Sequence, residues 1–559
     1  MSAQPWLAAY PEAVAPTIDI EGIASLADLF LRRVHDCADD LAFSNEGTSL
    51  TFAQTERLSA AFAAYLRECK GLQKGDRVAI MLPNLLQSPI AIIGTLRAGC
   101  VVVNVNPQYT PRELQHQLKD SGAKAIVVLE NFAATLADVI ADTDVEHVVV
   151  ARVGDQHSLL KRWIFNFVVR HVRKLVKPYR LTEAVAWRAA LQRGGEQKWR
   201  DVELSQDDVA CLQYTGGTTG VAKGAVLTHR NLIANVVQVA NWAQPFFDRN
   251  AGTVVTPLPL YHVFALTVGL FGFLQLGGHN VLITDPRDID RFVAALRQRP
   301  FVFMIGVNTL FNALLNNAGF SQLNFDAFTC TLAGGMAVQR SVAERWKSVT
   351  GCVIAQGYGL TEASPVVSAN RLDAQSFNGS IGLPLPSTDV RIVADDGSVL
   401  PIGEIGEICV HGPQVMREYW QRPSETAGVL DDDGWLRTGD IGRMDESGFV
   451  FIEDRKKDMI IVSGFKVFPN EIEDVVAAHP GVGEVAAIGI PDEESGERVK
   501  LVVVRKDESL TENELRGFCR ENLTGYKRPK TIEFRKELPK SNVGKILRRL
   551  LKEGTGSEK

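Results

Sequence analysis

A repeated alternation in the N-terminal third narrows the fold more than any other feature. Short, largely apolar runs at Arg77–Leu82, Val101–Val105, Ala125–Leu129 and His147–Val150 are separated by stretches whose apolar residues recur at helical spacing. A strand that is apolar on both faces must be covered on both faces, as in a parallel sheet layered by helices. The segments around these runs fit that scheme. Residues 20–45 read as an amphipathic helix and a short strand. Thr51–Thr55 opens a helix with Leu58, Ala61, Phe62, Tyr65 and Leu66 on one face, and a further helix surrounds Pro89–Ala98. The predicted class is therefore α/β. At 559 residues the chain exceeds what one hydrophobic core serves, so two or more domains are expected.

The texture changes near residue 380. Val390–Ala394, the turn Asp395-Asp396-Gly397 and Ser398–Leu400 spell a β-hairpin, with a strand at Glu407–Val410 and another turn at Glu446-Ser447-Gly448. We read residues 1–456 as a large multi-sheet domain closed by a β subdomain at about 380–456. Residues 457–559 read as a small α+β domain, with strands at Val485–Ile490, Lys500–Val504 and Thr531–Phe534. Asn470 with Glu473, and Thr511 with Glu514, have the spacing of helix capping boxes.

Chemistry enters at Tyr214-Thr215-Gly216-Gly217-Thr218-Thr219-Gly220-Val221-Ala222-Lys223-Gly224. Glycines let successive amide N–H groups turn inward as an anion-binding nest, threonine hydroxyls donate to phosphate oxygens, and Lys223 adds a positive charge. The apolar run Val209–Gln213 precedes it as a strand, and Thr228–Val239 has helical character. A Walker A loop requires G-x-x-x-x-G-K followed by Ser or Thr. Ala222 before Lys223 and Gly224 after it break that pattern. A plain Gly/Thr linker fits poorly with three threonines, a lysine and apolar flanks.

The run resembles the phosphate-binding motif of the adenylate-forming enzymes, a superfamily of acyl-CoA synthetases, luciferases and peptide-synthetase adenylation domains. Gly216 and Ala222 depart from its commonest form in the manner of the bacterial long-chain fatty-acid–CoA ligase branch. The resemblance extends over nearly the whole chain and implies ATP, Mg²⁺ and coenzyme A as co-reactants and a long-chain fatty acid as substrate. It further implies that the small domain is mobile, with Lys457 as its hinge.

The resemblance also assigns roles to further residues. In Tyr358-Gly359-Leu360-Thr361-Glu362, Tyr358 flanks adenine, Thr361 contacts the α-phosphate and Glu362 binds the metal. Gly334-Gly335-Met336 resembles a second adenine-side segment, and Asp440 and Arg455 resemble the ribose contacts. Lys545, in Pro539-Lys540-Ser541-Asn542-Val543-Gly544-Lys545, resembles the catalytic lysine. Gly464, Phe465 and Lys466 resemble the lining of the pantetheine path. His262 resembles a residue near the acyl carboxylate, its alternative being a structural histidine. The block Asp433–Lys457 resembles a fatty-acyl-CoA synthetase signature, departing at Arg437 and Met444.

The expected reaction joins a fatty acid to AMP with loss of pyrophosphate, then passes the acyl group to CoA, as in fatty-acid uptake and entry to β-oxidation. Alternatives are an acyl-AMP ligase serving a carrier protein, a medium-chain or aryl acid–CoA ligase, an oxidising or light-emitting relative, and a non-enzymatic binding protein. The last is disfavoured because Lys223, Glu362, Asp440 and Lys545 are all present.

Composition bounds the partners. A net charge of −6 argues against nucleic acid as a ligand. Eight scattered cysteines without C-x-x-C spacing suit reduced thiols in the cytoplasm. Met1–Tyr10 lacks the features of a signal peptide. Thr253–Thr284 carries no charged residue, but Pro257, Pro259 and four glycines leave its apolar part short of the roughly 20 residues that cross a bilayer. It reads as buried structure beside a fatty pocket. Residues 156–182 contain seven Lys/Arg, no acid, and interleaved aromatic and aliphatic residues. They fit either a helix lying on an anionic membrane, on the cytoplasmic face of the inner membrane, or a basic surface helix packed on its own domain. A homodimer is an open alternative to a monomer.

Overall fold

The computed structural model describes residues 4–215, 222–247, 252–492, 494–541 and 544–553. Two large sheets carry most of the chain. One has eight strands, in the order 418–419, 223–228, 209–215, 101–104, 77–81, 125–129, 147–151 and 185–186. Its central strands are parallel, as apolar runs buried on both faces require. The other has nine strands, from Leu383–Pro384 at one edge to Thr48–Thr51 at the other. Helices pack between and around them. Phe52–Ala64, for example, starts at a reciprocal Thr51/Gln54 capping box and buries Phe52, Thr55, Ser59 and Phe62.

A four-stranded antiparallel sheet follows, from Asp389–Val393 through Gly406–His411 and Leu436–Met444 to Val450–Arg455. The turn at Gly397 takes φ +88°, which only glycine adopts without cost. The remaining sheet pairs Val482–Asp492 with Gly496–Arg505, flanked by Ile460–Val462, Phe465–Val467 and the parallel strand Thr531–Arg535. Hydrophobic packing divides in the same place. The large core ends at Val450, and a second core starts at Ile460 and gathers Ile472, Val485, Leu501 and Leu515.

The helix expected from Thr228 is present, one strand before it carries no legible signal, and one local expectation fails. The run Lys223–Thr228 is a strand, antiparallel to Val209–Thr215 with Thr215 opposite Lys223, and only then does the helix His229–Ala243 begin. The short apolar triplet Ala225-Val226-Leu227 carries that strand and was too brief to stand out. Asn470 and Glu473 do not form a capping box. The helix Pro469–Ala477 has Phe468 at its N-cap with no side-chain cap, and both polar residues turn instead to Arg548. Thr511 does cap its helix, accepting from the Glu514 amide.

The uncharged segment 253–284 forms the strands Thr253–Thr256 and His279–Leu282 around a wholly buried π-helical stretch, Ala265–Gly272. Among the described residues no helix is long and apolar enough to cross a membrane.

Candidate active site

The motifs at Tyr214, Gly334 and Tyr358 sit where strands of the two large sheets end. Gly216, Gly217, Thr218, Thr219 and Gly220 lie outside the described residues. Their flanks are well placed. Tyr214 is buried and donates its hydroxyl to Asp120 Oδ2 at 2.7 Å, while Arg422 donates to Asp120 Oδ1 at 2.8 Å. Burial and then the Asp120 carboxylate drive the Tyr214 phenol far above its ordinary range, so it stays a hydrogen-bond donor. Gly224 meets the Tyr214 ring so closely that a Cβ there would lie 3.2 Å from it. On the next residue back, Lys223 extends over the Tyr419 ring, 5.4 Å from its centroid, and pairs with Glu425.

Tyr419 links this lysine to the second motif, donating to Glu362 Oε1 at 2.7 Å. Glu362 lies on a short 3₁₀ turn, Thr361–Ala363, between the strands Ile354–Gly359 and Val366–Ala369. Gly359 is dictated by packing: a Cβ would fall 2.0 Å from the Pro365 carbonyl oxygen. The carboxylate therefore has one oxygen engaged by a neutral hydroxyl. Mg²⁺ is a hard cation that takes one or two carboxylates and completes its shell with phosphate and water oxygens. Glu362, a single carboxylate with one oxygen held by a neutral hydroxyl, fits that habit. No cluster of three or more metal-ligating side chains exists among the described residues.

On the other side of the same turn, Tyr358 is buried and donates to Asp440 Oδ2 at 2.7 Å. Asp440 is 3% exposed and also faces Arg455, its cross-strand partner, with Nε 3.3 Å from Oδ1. Gly334 and Gly335 follow the strand Cys330–Ala333. A Cβ on Gly334 would approach Phe264 to 2.9 Å, and Gly335 takes φ +79°. Met336 packs on the rim of the core.

Lys545 arrives from 90 residues further along the chain and sits in this cluster. Burial and then Arg455 push its pKa down to about 8, while Asp440 and Asp458 pull the other way. His262, at the head of the π-helical stretch, is a neighbour of Lys545. Burial and then that cation push its imidazole down to about 4, so it is neutral at physiological pH. The turn bearing Lys545 is closed by Ser541 N–H donating to the Lys545 carbonyl at 2.7 Å. It is docked onto the large domain by Thr309, whose hydroxyl donates to the Gly544 carbonyl at 3.3 Å.

Arg548, which the motif reading missed, holds this arrangement. It donates to Glu473 Oε2 at 2.7 Å, Asn470 Oδ1 at 2.6 Å and Asp454 Oδ1 at 3.1 Å, and lies 3.5 Å from Asp458. Glu473 and Asn470 belong to the small domain; Asp454 ends the four-stranded sheet. Only the position three residues after Lys545 hinted at it. Asp120, Tyr419 and Glu425 were missed as well, since their partners lie far away in sequence.

Gly464, Phe465 and Lys466 are not brought to the cluster. Ser463 and Gly464, both with positive φ, turn a tight hairpin; Phe465 stacks on Tyr526 at 4.7 Å and Lys466 faces Asp395 at 3.9 Å. Lys457 is exposed between Arg455 and Asp458. A cavity of about 760 Å³ reaches Asn84 and Tyr261, the neighbour of His262, and its other walls carry Arg173, Arg287, Arg291 and Arg299 together with Glu46, Asp285 and Asp288.

Comparison with known proteins agrees with this geometry. The AMP-binding enzyme profile matches residues 30–420, and the AMP-binding enzyme C-terminal domain profile matches 471–545. A curated long-chain-fatty-acid–CoA ligase of Escherichia coli is 56% identical over 548 residues, covering 98% of each chain. One from Haemophilus influenzae is 54% identical over 550 residues, again covering 98% of each. Among solved structures, ATP-bound MatB from Rhodopseudomonas palustris superposes with a TM-score of 0.80 at 28% identity, covering 95% of this chain and 99% of that one. A strand-end cluster of tyrosine, glutamate, aspartate and a distant lysine, together with two matching profiles along the chain, place this protein in the AMP-binding, adenylate-forming enzyme family.

Proposed function

We propose that the protein activates long-chain fatty acids with ATP, forming an acyl-adenylate and pyrophosphate, and then transfers the acyl group to coenzyme A with release of AMP. The observation that carries this reading is Lys545, delivered into the Asp440–Arg455–His262 cluster by the small domain. Full-length kinship to long-chain-fatty-acid–CoA ligases supports the substrate class.

In the first step the fatty carboxylate displaces pyrophosphate from the α-phosphate. Two anions must meet, so fixed positive charge and donors are required where charge develops. Lys545 supplies a cation, with roughly ten protonated molecules for each neutral one at pH 7, given a pKa about one unit higher. Lys223 supplies another once phosphate replaces Glu425 as its partner. Glu362 would hold Mg²⁺, which when bound with the nucleotide would supply neutralising charge to the phosphates. Thr215, Thr361 and the 216–220 run donate to phosphate. Gly334, Gly335, Met336 and Tyr358 border the base, and Asp440 and Arg455 take the ribose hydroxyls. Neutral His262 lies near the incoming carboxylate without repelling it as a second anion would.

In the second step the CoA thiolate attacks the mixed anhydride and AMP leaves. The cavity of about 760 Å³ ending at Tyr261 has the size of a small-molecule site, its arginines offset in large part by Glu46, Asp285 and Asp288 on the same walls. We place the hinge at Lys457, between domains 1–456 and 457–559. Its rotation withdraws Lys545 and brings Gly464, Phe465 and Lys466 to the thiol path. Eight free cysteines support a reducing, cytoplasmic setting. We read the enzyme as meeting the bilayer peripherally through 156–182, where its substrate dissolves.

The test is thioester formation across an acid chain-length series with ATP and CoA. Long chains are expected to give the highest kcat/KM; acceptance of a carrier protein in place of CoA, or a preference for aryl acids, would overturn the assignment.

A further inference from the structure

Half of the large hydrophobic side chains that stand exposed among the described residues fall in one short segment. Leu159, Leu160, Trp163, Ile164, Phe167, Val172 and Leu175 are seven of fourteen, with Leu159 72%, Leu160 71% and Trp163 64% exposed. All but Leu175, which follows three residues later, belong to the helix Leu159–Phe167 and the π-helical turn Val168–Val172 that continues it. Leu160, Trp163, Ile164 and Phe167 follow the i, i+3, i+4, i+7 rule and make one stripe, where Trp163 stacks on Phe167 at 5.2 Å. No residue of that helix is buried. A soluble protein does not ordinarily leave such a contiguous apolar patch uncovered.

Charge says what covers it. Lys161, Arg170, Arg173, Lys174, Lys177 and Arg180 are all exposed around the stripe, and residues 156–182 contain no acid. Of these six, Arg170 alone among the described residues forms an ion pair, with Glu130 at 3.1 Å. An apolar partner protein would leave these cations unmatched; phosphate headgroups above an acyl layer match both features. The segment is firmly mounted. Asn166 accepts from the Gly154 amide at 2.9 Å, Lys161 donates to the Gly47 carbonyl at 3.0 Å, and His157 meets Thr48 at 2.6 Å. Arg152, Arg170 and Tyr179 converge on Glu130, which is 6% exposed at its side chain. A rigid platform loses little entropy on docking.

We propose that the Leu159–Val172 helix is a membrane dock that binds anionic bilayers, its Leu160–Trp163–Ile164–Phe167 stripe entering the acyl layer while the flanking cations hold the headgroups. The surface assignment is independent of the proposed reaction; only the purpose, access to bilayer-dissolved fatty acid, rests on it.

The test is vesicle co-sedimentation of the full chain without substrates, using phosphatidylcholine alone or mixed with phosphatidylglycerol. Binding is expected to the mixed vesicles and to fall with added salt. Each basic residue at the surface is worth about fivefold in partitioning, so Lys174→Gln/Lys177→Gln should weaken binding about 25-fold. Leu160→Gln/Trp163→Gln should abolish it, while both variants keep wild-type circular dichroism and wild-type turnover of a water-soluble shorter-chain acid. Equal binding to both vesicle types, or undiminished binding by either variant, overturns the proposal. So does a wild-type dimer that these substitutions convert to monomer without loss of vesicle binding, since a second copy would then cover the stripe. Loss of vesicle binding with soluble-acid turnover intact supports the dock, whereas absence of any acid–CoA ligation would refute the reaction and leave the dock standing.

Discussion

Replacing Arg548 by methionine removes the charge that ties the small domain to the large one while nearly preserving volume. In the structure the guanidinium is 13% exposed, Asp454 is 1% exposed and Glu473 15%. Burial raises the pKa of both Asp454 and Glu473, and Arg548 is the largest influence opposing that rise, ahead of backbone amides that donate to each carboxylate. Taking one partner from a buried pair costs about 3–5 kcal/mol. Glu473 travels with Arg548 in either domain arrangement, so only the Asp454 share separates them. Assigning that share about 2 kcal/mol, the docked arrangement loses about thirtyfold in population. Pyrophosphate release on mixing ATP and fatty acid should fall by that factor, whereas CoA thioester formation from synthetic acyl-AMP should change by less than about threefold. Asp454→Asn removes the cross-domain charge alone and is expected to lie between wild type and Arg548→Met. Equal losses in both half-reactions for the two variants, or adenylation at the wild-type rate, would refute the clasp.

The pH dependence of adenylation follows from Lys545. Its pKa lies below the ordinary lysine value, so the cation is present below about 8 and is lost as pH rises through it; kcat/KM for ATP should fall on the alkaline side of about 8, and Lys545→Arg should move that limb upward. His262, at about 4, stays neutral over the same range and contributes no acid limb above pH 5 or so. Gly544 has φ +81°, and a Cβ there would lie 2.6 Å from Thr309 Oγ1. Gly544→Ala should therefore slow adenylation about tenfold through roughly 1–2 kcal/mol of backbone strain at the turn, measured by the same pyrophosphate assay.

What the sequence reveals divides by range. The parallel strands were legible because burial on both faces imprints an unbroken apolar run, and the Gly397 hairpin because its turn needs a positive φ. Tyr358, Glu362, Asp440 and Lys545 were legible as motifs, although nothing local shows that Tyr358 donates to Asp440 across 82 positions. Side chains that bind distant partners left no pattern. Asp120 meets Tyr214 and Arg422 at separations of 94 and 302 residues. The Asn470/Glu473 spacing misled for the same reason: local geometry offered a cap, and Arg548, 75 residues beyond Glu473, outcompeted it. The strand Lys223–Thr228 escaped because three apolar residues after a lysine and glycine are too few to show a period.

The most direct measurement compares Lys545→Ala in the two half-reactions. Removing one preorganised group that stabilises developing charge costs about 10²–10³ in rate. Adenylate formation should fall by that much, while conversion of supplied acyl-AMP to acyl-CoA stays within about threefold of wild type. A matching fall in both would contradict the assignment of Lys545 to the first step and the domain exchange built on it.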